Sequence, residues 1–219
     1  LVPSDKGPFM LIDSGANVEV RPEMLLQFGQ MGSIYMTNVV KNGTPATVGL
    51  LNVGTEDHKG GELQHEAFAL LKDSGIHFVG NVEARDVPMG AVDVLVADGF
   101  SGNVLLKTME GTADMLLSNV KSAFMSSFKT KIGALLVKSQ IGGIKKKLST
   151  AEHGGAPLLG VSKPVIKAHG NSKAEAIKNA IRIAAQFAST GVIEQITAAV
   201  QADKAAPADK QEGLIGRGV

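Results

Sequence analysis

An α/β fold, with a mostly parallel sheet covered by helices on both faces, is predicted by three features of this sequence. Short apolar runs alternate with stretches of helical spacing. One run, Val94-Leu95-Val96-Ala97, is continuously apolar, as in a strand buried on both faces. Three polar, glycine-containing loops each follow a strand candidate: residues 13–17, 54–61 and 98–103.

The first strand is read at Phe9-Met10-Leu11-Ile12, ended by Asp13-Ser14-Gly15-Ala16-Asn17. Pro22 suits the first turn of a helix, and Met24, Leu25, Phe28, Met31 and Ile34 or Tyr35 recur at helical spacing. A second strand spans Thr47 to Val53, and Glu62 to Lys72 reads as the next helix. His77 to Val79 and Val92 to Ala97 are further strands, and a long helical pattern follows Asp98-Gly99-Phe100-Ser101-Gly102-Asn103. Between Lys129 and Leu148, Gly142-Gly143 is expected to divide two short helical pieces. Pro164 to Ala168 is a short strand leading through His169-Gly170-Asn171 to a helix. Ser172 and Glu175 have capping-box spacing, and that closing helix is expected from about Lys173 to Val200. The expected domain is 1–201, with a helical projection at about 121–150 and a flexible tail at 202–219.

A chain of 219 residues is long enough to bury a substantial core. With tryptophan absent and aromatics at 4%, that core is expected to rest on Leu, Ile, Val, Ala and Met. The formal net charge of +1 gives no reason to expect nucleic acid as a partner. The absence of cysteine excludes disulfides, thiolate metal sites and a cysteine nucleophile, and it fits a reducing cytoplasm. No apolar run approaches the roughly 20 residues of a spanning helix, and no signal peptide is read. The chain begins at Leu1 and runs almost directly into an apolar strand, so a fragment lacking its N-terminal part is expected.

Ligands of open parallel sheets bind beyond the carboxyl ends of strands, where the three loops belong. Glycines let backbone amides approach an anion, and helix N-termini add partial positive charge. Phosphate is therefore a natural ligand, although ordinary strand-to-helix turns look the same. No Walker loop or GxGxxG fingerprint is present, which weakens an ATP or NAD reading. Lys59, just ahead of a helix, suits neutralising a phosphate or a developing oxyanion; the alternative is a solvated surface lysine. Asn103 suits orienting a carbonyl or phosphate oxygen, or else is a simple N-cap. His58, His153 and His169 have no metal-ligand spacing, and His169 stands at a helix entrance on the side of the other loops. Ile132, Leu135, Leu136, Ile141 and Ile144 alternate with Lys129, Lys131, Lys138 and Lys145-Lys146-Lys147. This pattern fits a segment lying in an anionic membrane surface or a helical arm packed on another subunit.

Five segments resemble one family, the phosphate:acyl carrier protein acyltransferases (PlsX) of bacterial phospholipid synthesis. They are DSGANVEVRPEML, VGLLNVGTEDHKGGEL, FVGNVEARD, VADGFSGNVLLKTMEG and GGAPLLGVSKPVIKAHGNS, in order along nearly the whole chain. Ser14 departs mildly from the small aliphatic residue expected there. The resemblance implies a Rossmann-like three-layer α/β/α sandwich with an amphipathic helical projection, lacking here an N-terminal part that carries a further glycine-rich segment. It implies fatty acyl transfer from acyl carrier protein to inorganic phosphate, with Lys59 and Asn103 catalytic. Asp98, Gly99, Gly102, Gly15, Asn17 and His169 would shape the phosphate site. It further implies a homodimer, attachment to the cytoplasmic membrane through Ile132, Leu135, Leu136, Lys138 and Ile144, no metal or organic cofactor, and a downstream acyl-phosphate:glycerol-3-phosphate acyltransferase. The rival readings are a phosphotransacetylase-like enzyme using acyl-coenzyme A and a non-catalytic membrane-surface scaffold.

Overall fold

A computed structural model describes residues 1–147, 155–168, 170 and 172–205, with backbone alone at 145–147 and 203–205. Apolar residues with a period of two build four short strands: β1 (Met10–Ile12), β2 (Val48–Asn52), β3 (Phe78–Glu83) and β4 (Val94–Val96). All pair in parallel, in the order β1-β4-β2-β3. Val94 is the register partner of both Met10 and Val48.

The alternation sorts side chains to two faces. Met10, Val48, Leu50, Val94 and Val96 point to one core. There they meet α1 (Pro22–Tyr35), α2 (Glu62–Asp73) and the last two helices, α6 (Ala174–Ser189) and α7 (Val192–Ala205). Leu11, Val82, Leu95 and Ala97 face the other core, with Val2, Phe9, Val87 and the first turns of α3 (Gly99–Met125). The result is the expected three-layer Rossmann-like arrangement. Some of its few aromatic residues nevertheless sit at the centre: Tyr35 and Phe187 are buried edge to face, with ring centroids 5.4 Å apart. Aromatic scarcity limits the number of such anchors, not their use.

Helix α3 has 27 residues, of which only Gly99 and Gly102 are buried. At 1.5 Å per residue it is about 40 Å long, so past Met109 it outruns the sheet. It continues into α4 (Phe128–Leu136) and α5 (Lys138–Lys147). The break falls at Val137, not at Gly142-Gly143, which lie inside α5. Each glycine costs a helix only about 1 kcal/mol relative to alanine, so the pair weakens without forbidding it. A reciprocal cap starts α4: Thr130 N–H donates to Ser127 Oγ at 3.2 Å, and Ser127 N–H to Thr130 Oγ1 at 3.0 Å.

The strand expected at Pro164 to Ala168 is present as β6 (Val165–Lys167), paired antiparallel with an unexpected strand, β5 (Ala156–Leu158), in a ribbon separate from the main sheet. Only Ile166 of β6 turns to the core, which suits a ribbon with one wet face. Two expectations about the helices that follow are corrected. Lys173, not Ser172, is the N-cap of α6, so the Ser172/Glu175 box does not form. The closing helix is two helices, separated at Thr190 and Gly191, where φ of +63° at Gly191 is a left-handed stop. Helix α7 then runs past Val200 to Ala205. The remainder of the expected tail lies outside the described residues.

At the amino ends of the strands, Asp93 ties β2 to β4. Its Oδ2 accepts from Lys41 Nζ at 2.6 Å, Thr47 N–H at 2.8 Å and Thr47 Oγ1–H at 2.9 Å. Burial pushes the Asp93 carboxyl up, but these donors outweigh it and hold it below the usual aspartate value. Asp93→Ala leaves Lys41 and Thr47 without their acceptor and is expected to lower unfolding stability by about 1–3 kcal/mol. Urea denaturation checks this, and an unchanged midpoint is the contrary result.

Candidate functional site

Because β4 lies between β1 and β2, the loops after these three neighbouring strands emerge along one sheet edge. They differ in what their backbone N–H groups already bind, and that difference decides where an anion fits.

The loop after β1 is closed on itself. Asp13, 8% exposed, accepts from the N–H groups of Gly15 at 2.9 Å, Ala16 at 3.0 Å and Asn17 at 2.5 Å. Asn17 Nδ2 adds a fourth bond at 2.9 Å. Burial raises the Asp13 carboxyl, yet hydrogen bonds from Ala16, Asn17 and Gly15 prevail and hold it below its ordinary 3.8. The Gly15-Ala16-Asn17 amides thus serve an internal carboxylate, and Gly15 and Asn17 are left to contribute shape rather than N–H donors.

The loop after β4 interlocks with it. Gly99 N–H donates to Asn17 O at 2.8 Å. Gly102 is buried so closely on the Asp13 carbonyl that a Cβ there would collide with it. Asp98 is the N-cap of α3, its Oδ1 accepting from Ser101 N–H at 2.8 Å. The glycines here permit a helix to sit directly on a loop, and the helix start is capped by a carboxylate. Asn103 is therefore no N-cap; it stands one turn inside α3, exposed, with its side chain over Gly15. A Cβ on Gly15 would lie 3.5 Å from Asn103 Oδ1.

The loop after β2 leaves its helix start open. The N-cap of α2 is Gly61, which has no side chain, and Gly61 N–H itself binds Gln64 Oε1 at 3.1 Å. The first-turn N–H groups of Glu62 and Leu63 have no intrahelical partner and form the positive end of the helix. Lys59 stands two residues before that cap, 41% exposed and 4.0 Å from the more exposed Glu56 carboxylate. So loose and wet a pair contributes little and leaves the ammonium available to an incoming anion. This edge thus offers an uncapped helix start with a partly exposed lysine at α2 and an exposed amide, Asn103, one turn inside α3.

Gly15, Asn17, Asp98, Gly99, Gly102 and Asn103 form one interlocked unit, whereas Lys59 keeps its contacts to its own loop, at Gly54 and Glu56. His169 and His153 lie outside the described residues. The His58 carbonyl bonds the His65 ring at 2.9 Å. Among the described residues no three His, Asp or Glu side chains are grouped to hold a metal. Three residues escaped the sequence reading: Asp13 as an acceptor, Asn52 and Asn81. Asp-x-Gly is a turn signal that makes the first legible. Asparagine is depleted in strands, which marks the other two as unusual.

The chain is similar over residues 1–195 to a family described as fatty acid synthesis protein. It is 55% identical over 193 residues to the phosphate acyltransferase of Oceanobacillus iheyensis, covering 88% of this chain and 58% of that protein. It is 51% identical over 201 residues to the phosphate acyltransferase of Brevibacillus brevis, covering 91% and 60%. The phosphate acyltransferase of Clostridium novyi is 49% identical over 201 residues, covering 92% and 60%. The chain thus spans somewhat less than two thirds of the length of these curated relatives.

The depressed Asp13 carboxyl makes stability depend on acid. A group whose folded value is lowered contributes above its unfolded value, and the contribution is lost as pH falls through the folded one. The advantage in Tm of the protein over Asp13→Asn should be full at neutral pH and shrink below about pH 4. Melting both from pH 7 to pH 3 reads this out; an advantage that stays constant contradicts the charge-based pinning of the loop.

Proposed function

The chain belongs to the fatty acid synthesis protein family, whose similar members are phosphate acyltransferases, and from that premise we propose that it transfers a fatty acyl group from acyl carrier protein to inorganic phosphate. The observation that carries the reading is the contrast between helix starts: α3 is capped by Asp98, while α2 opens without a side-chain cap beside Lys59.

Phosphate binds at the first-turn amides of α2 and Lys59. It is itself the nucleophile, so the chain needs no cysteine. A phosphate oxygen attacks the thioester carbonyl, forming the O–C bond and a tetrahedral oxyanion. Collapse breaks the C–S bond, and the thiolate leaves on the carrier and takes up a proton. The work of the protein is to hold two reactants in line and to stabilise charge developing on oxygen. Asn103 orients the thioester carbonyl from the adjacent strand end. Asp13, Gly15, Asn17, Gly99 and Gly102 fix the start of α3 and hence Asn103.

The projection serves attachment. Phe128, Ile132, Leu135 and Leu136 recur at helical spacing on α4 and are exposed, Phe128 at 80%, Leu135 at 72% and Leu136 at 78%. Lys129, Lys131 and Lys138 flank them, and Ile144 is exposed on α5. No described helix is long and apolar enough to cross a membrane. An apolar stripe edged with lysines supports contact with an anionic bilayer, and the exposed Leu116 and Val120 of α3 support pairing with a second copy.

Lys59→Ala is expected to fold normally and to lose about 10²- to 10³-fold in turnover, as when one oxyanion donor is removed. The assay is phosphate-dependent cleavage of a long-chain acyl carrier protein by the intact protein, with acyl-coenzyme A in parallel. Near-full activity removes Lys59 from the site, acyl phosphate only from coenzyme A favours the phosphotransacetylase reading, and no turnover of either favours a scaffold.

A further inference from the structure

Asn81 is buried in β3, 6% exposed, between Gly80 and Val82. Its Nδ2 donates to the carbonyl of Glu56 at 2.8 Å. Only the nitrogen end of the amide suits a carbonyl, so the orientation is fixed by chemistry. Its Oδ1 is then left without a hydrogen-bond partner among the described residues. An orphaned buried acceptor destabilises a fold, and an apolar residue at this position would avoid it. Asn81 is therefore a poor choice for packing, and what it does provide is one bond to the loop after β2.

That loop is held at a second point. Asn52, the last residue of β2, donates from Nδ2 to the carbonyl of Lys59 at 2.9 Å, while its Oδ1 takes the Val53 N–H at 2.8 Å. The two gripped carbonyls belong to the ends of one turn, closed by Lys59 N–H to Glu56 O at 3.1 Å. Two glycines let the turn settle. Gly60 has φ of +95°, and a Cβ there would lie 2.8 Å from Asn52 Oδ1. A Cβ on Gly54 would lie 3.0 Å from Lys59 Cγ and 3.3 Å from Cδ, so the lysine stem runs over bare backbone.

We propose that Asn81 and Asn52 are positioning residues for Lys59: two strand amides clamp the Glu56–Lys59 turn by its carbonyls and aim the ammonium at the phosphate site. The proposal rests on the reading of Lys59 as a phosphate ligand. Neither asparagine is assigned contact with phosphate or thioester. Removing the Asn81 donor orphans no group on the loop, because Glu56 O keeps the Lys59 N–H. Loss of the clamp thus frees the turn without unfolding the sheet.

The test uses the intact protein and the variants Asn81→Leu, which replaces the amide O and N by two methyls, and Asn52→Ala, which releases the turn from the other strand. For Asn81→Leu the clamp predicts kcat/KM for phosphate lowered about 10- to 100-fold, in the range of a small misplacement of a reacting group. KM for acyl carrier protein stays unchanged, Tm is unchanged or raised, and amide hydrogen exchange across residues 54–61 is faster. In a Lys59→Ala background, Asn81→Leu should add little further loss, since both act through one side chain. Unchanged phosphate kinetics in both single variants, or losses that multiply in full in the double variant, overturn the proposal. If Lys59→Ala alone retains activity, the reading of Lys59 has failed. The exchange rates of 54–61 then still decide the clamp: faster exchange upholds it and unchanged exchange refutes it. Should Asn81→Leu not fold, Asn52→Ala carries the same measurements.

Discussion

β4 enters the sheet between β1 and β2 rather than beyond β3, and the rest of the molecule is arranged around that insertion. It makes the loops after β1, β4 and β2 neighbours, so that Asn17 O meets Gly99 N–H and the Asp13 carbonyl meets Gly102. It also buries β4 on both faces, which its unbroken apolar run requires. At the amino ends the same placement brings Asp93 beside Thr47 and Lys41. With β4 tied to β1 at the carboxyl ends and to β2 at the amino ends, the sheet is a firm base from which α2 and α3 depart, and a site on rigid elements holds its geometry more closely than one on loops.

Sequence reading reached the elements wherever the signal was local. Pro22 opens α1, the apolar run marks β4, and the strand candidates at 9–12, 47–53, 77–79 and 164–168 overlap β1, β2, β3 and β6. It failed where tertiary placement outweighed propensity. The alanine-rich spacing on either side of Gly191 reads as one helix, because a single glycine is a weak breaker until its backbone turns left-handed. Ser172 and Glu175 have capping spacing but Lys173 takes the cap, whereas Ser127 and Thr130 form a reciprocal cap that the acidic pattern does not anticipate. Pro157 hid β5, since proline in a run argues against a strand. At the site, the three loops were legible because each follows a strand. Which of their amides are already taken was not, apart from Asp13, whose partners lie two to four residues away. The Asn81–Glu56 bond joins residues 25 apart. No local pattern encodes it.

A common thread links the polar residues of this edge. Asp13 spends its carboxylate on the N–H groups of Gly15, Ala16 and Asn17, and Asp98 spends its own on the N–H of Ser101, so these two glycine loops offer fewer open donors than their composition suggests. Glycine at the start of α2 does the opposite: it leaves donors free that serine or aspartate would have capped. Asn81 carries an orphaned oxygen in an otherwise apolar strand environment. Such departures from the most stable choice, clustered around one turn, are what a binding site in a stable scaffold is expected to contain.

The assignment of phosphate to the start of α2 is tested most directly by titrating the ¹⁵N-labelled intact protein with inorganic phosphate and following backbone amide shifts. Perturbation concentrated at residues 59–64, with 15–17 and 99–102 little moved, is the result the open helix start predicts. Perturbation of 15–17 or 99–102 with 59–64 unmoved contradicts it and returns the anion to the loops closed by Asp13 and Asp98.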